Sequence, residues 1–164
     1  MMNIVLHEPE IPQNTGNIVR TCVATGSRLH LIKPLGFSTE DKYLKRAGLD
    51  YWKDADISYY ENYEDFLEKE KPKRVIMATT KAYQVYSDFK FEDGDYIMFG
   101  KESAGIPEEI LVENEETCVR IPMIGDIRSL NLSNSVAIMV YDALRQMDFE
   151  GLNEYGNLHR LKWK

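Results

Sequence analysis

Residues 3–34 read NIVLHEPEIPQNTGNIVRTCVATGSRLHLIKP, and this stretch combines the patterns of a strand, a helix and a second strand. NIVLH (residues 3–7) is a short apolar run typical of a buried strand. Apolar residues then repeat at i,i+4 spacing from Thr15 to Thr25, and Gly26 follows where a helix commonly ends. RLHLIK (residues 28–33) is a second strand. A strand, helix and strand in succession predict a βαβ unit, and therefore a parallel sheet.

The same alternation continues along the rest of the chain. We expect about six strands and five helices, which indicates an α/β fold with a mostly parallel sheet flanked by helices. No linker, repeat or low-complexity segment interrupts residues 1–164, so we predict a single domain. The further predicted strands are 57–61, 73–80, 95–100 and 117–123; the further helices run from a Ser38/Asp41 capping box to Gly48, over 63–71 behind an Asn62 cap, near 107–112 and over 132–147.

Charge and hydropathy restrict the classes of function. No apolar run is long enough to span a membrane, and the amino terminus lacks a basic segment before its apolar residues, so we expect a cytoplasmic protein. The formal net charge of −7 argues mildly against nucleic-acid binding by bulk electrostatics. Local basic segments remain in KYLKRAG (residues 42–48) and in the tail HRLKWK (residues 159–164), where Trp163 is interleaved with lysines.

The metal-ligating residue types do not cluster in the sequence. Cys22 and Cys118 lie far apart in apolar segments, which favours two reduced core thiols over a disulfide. The histidines, His7, His30 and His159, have no metal-ligand spacing. We therefore predict no metal.

Three loops rich in glycine, asparagine and serine fall at or after predicted strand ends. They are NTGN (residues 14–17), GKESAGIP (residues 100–107) and GDIRSLNLSN (residues 125–134). Ligands of open α/β sheets bind at the carboxyl ends of strands, so three such loops predict a site there.

The first of these loops also predicts local structure. We interpret Asn14 and Thr15 as helix caps and Gly16 as a position of close backbone approach. Arg20 lies roughly one turn beyond Asn17, and we expect it to face the same cleft.

Two common kinds of site do not match these loops. Gly100 and Gly105 have phosphate-loop spacing, but Ile106 and Pro107 stand where that motif requires Lys and Ser or Thr, and no GxGxxG occurs. None of the loop serines lies in GxSxG or has a histidine in a comparable loop. The sequence thus argues against nucleotide hydrolysis, dinucleotide chemistry and serine hydrolase chemistry.

The motifs together resemble a known enzyme class. NTGNIVR, FGKESAGIP, and IPM followed by RSLNLSNSVAIMVYDALRQ are similar to the three successive motifs of the SPOUT class of RNA methyltransferases. The longer start EPEIPQNTGNIVR and RAGLDYW (residues 46–52) add a resemblance to the small subgroup that methylates the ribose 2′-hydroxyl of the wobble nucleotide, cytidine or uridine, in transfer RNA. The resemblance covers nearly the whole chain up to about residue 147.

The resemblance implies a deep trefoil knot in roughly residues 75–150, an obligate homodimer and S-adenosylmethionine as methyl donor. It places the cofactor in a cradle whose polar groups and glycines approach the ligand, with Ile121 and Met123 backbone groups against the adenine edge and Leu130 on its face. Taken singly, Gly105 could also be a turn residue and Met123 a core residue. The implied cofactor residues are Ala78, Thr79, Gly100, Glu102, Gly105, Ile121, Pro122, Met123, Ser129, Leu130, Asn131 and Ser133.

The resemblance also implies the catalytic residues. Arg20 would contact the ribose hydroxyl or the neighbouring phosphate, and Asn14 would orient the loop and the substrate. Because an arginine pKa exceeds about 12, electrostatic stabilisation of a developing alkoxide is favoured over proton abstraction. A surface or dimer ion pair is the alternative role for Arg20.

Partners follow from the same reasoning. Two copies of KYLKRAG and of the basic tail could flank a shared site and hold an anticodon stem-loop, with aromatic stacking on the extruded base. The same chemistry on ribosomal RNA is one alternative function. A non-catalytic RNA-binding protein that keeps the fold is another, and the presence of Arg20, Glu102 and Asn131 argues against it.

Overall fold

A computed structural model describes the backbone of residues 1–40 and 42–164, and the side chains of all of these except residues 45 and 47–50. The elements alternate as the sequence predicts, with seven strands and five α-helices among the described residues. Two short 3-10 helices, Tyr86–Asp88 and Glu115–Thr117, complete the structure. The elements are β1 (Asn3–His7), α1 (Pro12–Thr25), β2 (Arg28–Ile32), α2 (Lys42–Trp52), β3 (Ile57–Tyr60), α3 (Tyr63–Glu70), β4 (Val75–Ala78), β5 (Gln84–Val85), β6 (Tyr96–Phe99), α4 (Glu108–Val112), β7 (Cys118–Arg120) and α5 (Leu132–Gln146).

The strands form one parallel sheet in the order β3-β2-β1-β6-β4-β7-β5. β1, β6, β4 and β7 are direct neighbours in that order. Since all run in one direction, the loops that leave their carboxyl ends emerge side by side at one edge. The predicted α/β class is confirmed. The predicted loops 100–107 and 125–131 lie at this common edge, whereas residues 14–17, predicted as a loop, lie there in the first turns of α1.

Helices cover both faces of the sheet. One face carries α1 and α5, whose apolar residues pack on alternate residues of the strands such as Ile4 and Leu6. The other face carries α3 and α4, where Phe66 and Leu111 pack with Val5 and the residues that share its side of the sheet. The face of α5 that packs on the sheet is apolar, with Val136, Val140, Ala143 and Leu144 buried.

The start of α1 differs from the prediction. The helix begins at Pro12, three residues before the predicted start at Thr15, and Ile11 takes the N-cap position. Asn14 and Thr15 are therefore not caps but buried helical residues. The prediction missed that proline suits the first helical position, where no intrahelical partner exists for a backbone N–H. The helix ends as predicted, with Gly26 in the left-handed conformation.

Other predicted boundaries are mostly confirmed. α3 has the Asn62 cap, whose side chain accepts a hydrogen bond from the Asp65 amide. α2 continues to Trp52 instead of ending at Gly48. The two-residue strand β5 was not predicted, because so short an edge strand has no periodicity to detect. The Ser38/Asp41 capping box includes residue 41 and lies outside the described residues. No described helix is both long and apolar enough to cross a membrane.

A polar cluster is buried between β2 and its neighbouring elements. His30 is fully buried, with Nδ1 2.7 Å from the Tyr60 hydroxyl and Nε2 3.1 Å from Asn3 Oδ1. The Tyr60 and Tyr96 hydroxyls both donate to the Glu70 carboxylate, at 2.6 and 2.9 Å. Burial lowers the pKa of His30 to about 4. The imidazole is therefore neutral in the folded protein at pH 7.

This cluster predicts an acid dependence of stability. An unfolded histidine has a pKa of about 6.5 and binds a proton more readily than folded His30, so the free energy of unfolding falls as pH decreases from about 6.5 to about 4. We expect His30→Gln to show a shallower decrease over this window than the wild type. Urea unfolding at a series of pH values measures both slopes. His7, whose pKa is also lowered by burial, is present in both proteins and contributes equally to both slopes. Equal slopes in the two proteins would therefore contradict the assignment to His30.

Candidate functional site

A cleft of about 610 Å³ opens at the carboxyl ends of β1, β6, β4 and β7. Its walls come from the amino-terminal end of α1, the loops after β4, β6 and β7, and the first turns of α5. The lining residues are Ile11, Asn14, Ala78, Thr79, Thr80, Lys81, Phe99, Gly100, Lys101, Glu102, Ser103, Ala104, Gly105, Ile106, Ile121, Met123, Arg128, Ser129, Leu130, Asn131, Leu132, Ser135 and Met139.

Most of the residues implied as cofactor-binding or catalytic line this cleft; Arg20, Pro122 and Ser133 do not. Pro122 lies between two lining residues, Ile121 and Met123. Ser133 donates both its backbone N–H and its hydroxyl to Asn131 Oδ1, at 3.0 and 2.6 Å, in the first turn of α5. Residues from four separate parts of the sequence thus meet around one cavity.

Glu102 caps the amino terminus of α1 from a loop more than ninety residues away. Its carboxylate accepts hydrogen bonds from the backbone N–H groups of Glu10 at 2.8 Å and Ile11 at 3.2 Å. The Ile11 side chain cannot accept a hydrogen bond, and the first turn of α1 contains no acid. A carboxylate at a helix amino terminus is stabilised by the free N–H groups and by the helix dipole. Glu102 therefore holds the segment between β1 and α1, while also lining the cleft.

Glu10 makes the reciprocal contact. Its Oε1 accepts hydrogen bonds from the Ser103 amide at 2.9 Å and the Ser103 hydroxyl at 2.6 Å. These bonds hold the pKa of the Glu10 carboxyl below its usual value. Each loop thus donates backbone N–H groups to a carboxylate of the other, which fixes the spacing between the loops after β1 and β6.

Asn14 joins this pair of loops to the third. It is 5% exposed, its Nδ2 donates to Glu102 Oε1 at 3.4 Å, and its Oδ1 accepts from Asn131 Nδ2 at 3.0 Å. Asn131 in turn caps α5, because its Oδ1 accepts from the amides of Ser133 and Asn134. The side chain of Asn14 is therefore the connection between the capped ends of α1 and α5.

The glycines of the second loop form a tight turn at the floor of the cleft. The Gly105 amide donates to the Lys101 carbonyl at 2.8 Å, and Gly105 has a φ of +71°, which side chains rarely adopt. Gly100 packs so closely on this turn that a Cβ at that position would overlap the backbone of Gly105 and Ile106. The turn interpretation of Gly105 is confirmed, and it brings the backbone of this loop to the surface of the cleft.

Arg20 does not face the cleft of its own chain, so this expectation was wrong. It is exposed on α1, with its guanidinium carbon 5.1 Å from the centre of the Tyr51 ring on α2. The prediction placed Arg20 one turn beyond Asn17 and expected Asn17 to face the cleft. Asn17 is exposed and does not line the cleft, whereas Asn14 does, and Arg20 lies on a different side of the helix from Asn14.

Several lining residues were not predicted from the sequence. Most lie beside predicted ones in the same loops, so extending each motif by a residue or two would have found them; they include Thr80, Lys81, Lys101, Ser103, Ala104 and Arg128. Glu10 does not line the cleft, and its contact with Ser103 could not be predicted, because it depends on a loop distant in sequence.

The arrangement suits binding of an organic ligand with an apolar ring and polar groups. A volume of about 610 Å³ lies within the range of small-molecule sites. Ile121, Met123 and Leu130 supply apolar surface, while serines, amides and backbone groups of the second and third loops supply hydrogen-bond partners. Within residues 1–40 and 42–164, no group of histidine, cysteine and acidic side chains has the geometry of a metal site.

Comparison with known proteins identifies similar sequences. A profile of the SpoU rRNA Methylase family matches residues 1–141. The chain is 51% identical to a protein of Escherichia coli (strain K12) named tRNA (cytidine(34)-2'-O)-methyltransferase, over 92% of this chain and 97% of that protein.

Solved structures share the fold. One described as "Structural insights into the 2-OH methylation of C/U34 on tRNA" superposes with a TM-score of 0.87 at 43% identity, covering 92% of this chain and 98% of that chain. An AdoMet-bound rRNA methyltransferase from Sinorhizobium meliloti superposes with a TM-score of 0.79 at 25% identity, covering 89% of this chain and 56% of that chain.

The close packing of Gly100 leads to a prediction about stability and binding. Gly100→Ala forces the second loop to move, because the added methyl group meets backbone that cannot rotate away, and we expect a loss of about 1–3 kcal/mol in unfolding free energy. The variant also distorts the floor of the cleft. Gly156→Ala is the matched control, since nothing lies within 4 Å of its added Cβ. Thermal unfolding compares the three proteins, and equal stability of the Gly100 variant and wild type would contradict the packing argument.

Proposed function

The chain belongs to the SpoU rRNA methylase family, and we propose that it transfers a methyl group from S-adenosylmethionine to the ribose 2′-hydroxyl of the wobble nucleotide in transfer RNA. The observation that carries the proposal is the meeting of the three motif loops around one cleft, joined by Asn14. The similarity to tRNA (cytidine(34)-2'-O)-methyltransferases extends over nearly the whole chain, which supports the choice of nucleotide.

The residues of the cleft fit S-adenosylmethionine. An adenine needs apolar faces and backbone hydrogen bonds, and Leu130 with the backbone around Ile121 and Met123 can provide these. The backbone of Gly100 to Gly105 approaches the cleft without side chains at either end of the turn. Glu102 has both carboxylate oxygens engaged by α1 and Asn14, so we assign it a positioning role in place of direct cofactor binding. When bound, S-adenosylmethionine supplies a methyl group on a positively charged sulfur.

The protein contributes position and charge to the reaction. The ribose oxygen forms a bond to the methyl carbon while the carbon–sulfur bond breaks, and the hydroxyl proton leaves to solvent. Holding the two reactants in line supplies much of the acceleration. Asn14 holds the start of α1 against the loop after β6 and the start of α5. A guanidinium near the hydroxyl stabilises the negative charge that develops on oxygen.

Arg20 provides that guanidinium from a second copy of the chain in our proposal. Its position outside the cleft of its own chain argues against a role in cis, whereas its exposure on α1 leaves it available to a neighbour. Exposed apolar residues on the contacting helices α1 and α5, Ile11 at the start of α1 and Tyr141 on α5, are suited to contact between copies. A homodimer would thus complete each cleft with an arginine from the partner.

We also propose that the carboxyl-terminal part of the chain is threaded as a trefoil knot. β7 follows β6 in sequence but lies on the far side of β4, reached through α4 on one face of the sheet. The chain then returns across the strand ends to α5 on the opposite face, where Asn131 contacts Asn14. A chain that passes from one face of the sheet to the other across the strand ends in this way supports a threaded path.

The anticodon stem-loop is the part of transfer RNA that we propose to be bound, and the reaction would take place in the cytoplasm. Basic residues of the segment 42–48 and of the exposed tail 159–164 of two copies would hold its phosphates. The family profile is named for ribosomal RNA, so a ribosomal ribose is the second candidate substrate.

Mass spectrometry of nucleosides tests the proposed reaction. Purified protein with S-adenosylmethionine should convert the wobble nucleotide of unmodified transfer RNA to its 2′-O-methyl form, because the ribose hydroxyl is the nucleophile placed at the cleft. Ribosomal RNA is incubated in parallel. Methylation of ribosomal RNA alone would mean that the substrate is a ribosomal ribose and that the methyl transfer itself is as proposed. Binding of RNA without any transfer would favour a non-catalytic protein.

Mixed dimers test the role of Arg20. Arg20→Ala should retain affinity for S-adenosylmethionine and lose methyl transfer, and Leu130→Arg should lose the cofactor by filling the cleft. If Arg20 acts across the dimer, chains of the two inactive variants that are unfolded and refolded together regain activity, because one cleft of each mixed dimer has both groups. No recovery in a mixture shown to contain mixed dimers would mean that Arg20 acts in cis or not at all.

A further inference from the structure

The described side chains that line the cleft carry positive charge although the chain as a whole is acidic. The cations in the lining are Lys81, Lys101 and Arg128. The acid is Glu102, whose carboxylate accepts hydrogen bonds from backbone N–H groups at the start of α1. The formal net charge of the chain is −7, so the charged side chains that line the cleft differ in sign from the chain as a whole, although Glu108 and Glu8 lie beside two of the cations. Cations gathered at one site attract a polyanion to it.

Two of these cations have weak protein partners. Lys81 Nζ lies 3.0 Å from Glu108 Oε1, with the two side chains 53% and 76% exposed. Lys101 Nζ lies 3.4 Å from Glu8 Oε2, with the two side chains 34% and 29% exposed. The exposed pair of Lys81 contributes little to stability and exchanges readily, so a phosphate can replace its carboxylate. Arg128 has no ion-pair or hydrogen-bond partner among the described residues.

An exposed tyrosine, Tyr83, lies close in sequence to one of these cations. Tyr83 is 95% exposed and lies two residues beyond Lys81, within about 7 Å along the chain. It has no hydrogen bond and no ring contact with any described residue. Tyr83 does not itself line the cleft, but its ring is open to a molecule that contacts Lys81.

The backbone that carries Tyr83 is held on both sides. On one side the Thr79 amide donates to the Val119 carbonyl at 2.9 Å, and Ala82 is buried with 7% exposure. The Lys81 amide donates to Thr79 Oγ1 at 3.2 Å and closes the turn. On the other side Gln84 begins β5 and pairs with β7. A ring on an anchored turn loses less entropy on binding than a ring on a mobile loop.

We propose that Tyr83 is a base-stacking residue for the RNA substrate, with Lys81 and Arg128 contacting its phosphates on either side. The inference rests on the proposed methyl transfer to RNA and assigns the groups that hold the nucleotide next to the reacting one. Aromatic rings stack on bases without regard to sequence, and adjacent cations follow the backbone. The cations beside the ring favour RNA as the bound molecule, because exposed lysine and arginine side chains pair with backbone phosphates.

Binding measurements with full-length protein test the proposal. The probe is a fluorescently labelled RNA stem-loop, with its dissociation constant measured by anisotropy at fixed salt. Tyr83→Ala and Tyr83→Leu should weaken binding about 5- to 150-fold, while Tyr83→Phe stays close to wild type because the ring is retained. Lys81→Met should reduce the dependence of log Kd on log salt concentration by about 1.

Three controls separate stacking from other roles. Tyr59 lies on β3, the outermost strand on the opposite side of the sheet from β5. Tyr59→Ala should therefore leave RNA affinity unchanged. The affinity for S-adenosylmethionine should be the same in all Tyr83 variants. The oligomeric state of each variant, measured by light scattering, should match wild type.

Specific results would overturn the assignment. Unchanged RNA affinity in Tyr83→Ala, or equal behaviour of the Leu and Phe variants, excludes stacking. Weakened RNA binding that follows loss of the dimer assigns Tyr83 to contact between copies and overturns the proposal. Wild type that binds the stem-loop without methylating it contradicts the proposed reaction, while the Tyr83 variants still decide the binding role. Wild type that does neither overturns both.

Discussion

The hydrogen bonds of one buried amide, Asn14, connect the parts of this structure on which the cleft depends. Its Nδ2 donates to Glu102 and its Oδ1 accepts from Asn131, so the loop after β6 and the start of α5 are both tied to α1. A buried amide that lost either partner would leave an unsatisfied polar group, at a cost of about 1–3 kcal/mol. The three loops are therefore held in one arrangement, and a ligand meets a wall that is already formed.

The same constraint gives Glu102 and Asn131 two functions each. Both satisfy backbone N–H groups at the start of a helix, and both line the cleft. α1 has no cap of its own, because Ile11 stands in the N-cap position, and its end is completed by a carboxylate from a distant loop. The same contacts thus cap the two helices and shape the cleft. A change in the loop of Glu102 or in that of Asn131 affects both the helix end and the cleft.

The elements of the fold could be predicted well from the sequence, and the site in part. Apolar periodicity located the strands and the long helix α5, since burial of one face dictates the spacing of apolar residues. It could not detect the two-residue β5 or the start of α1 at Pro12, where the local pattern is short. The direction of Arg20 was predicted from Asn17, which is exposed and does not line the cleft, whereas Asn14 does.

The sequence by itself determined the α/β class, the loops that carry polar and glycine residues, and the family resemblance of their motifs. These depend on local periodicity and on residue types within single segments. Only the tertiary structure decided that β6 and β4 stand between β1 and β7, that Glu102 and Glu10 exchange backbone partners, and that Arg20 lies outside its own cleft. The physical reason is that these contacts join residues distant in sequence, and strand order is set by packing of the whole sheet, which no single segment encodes.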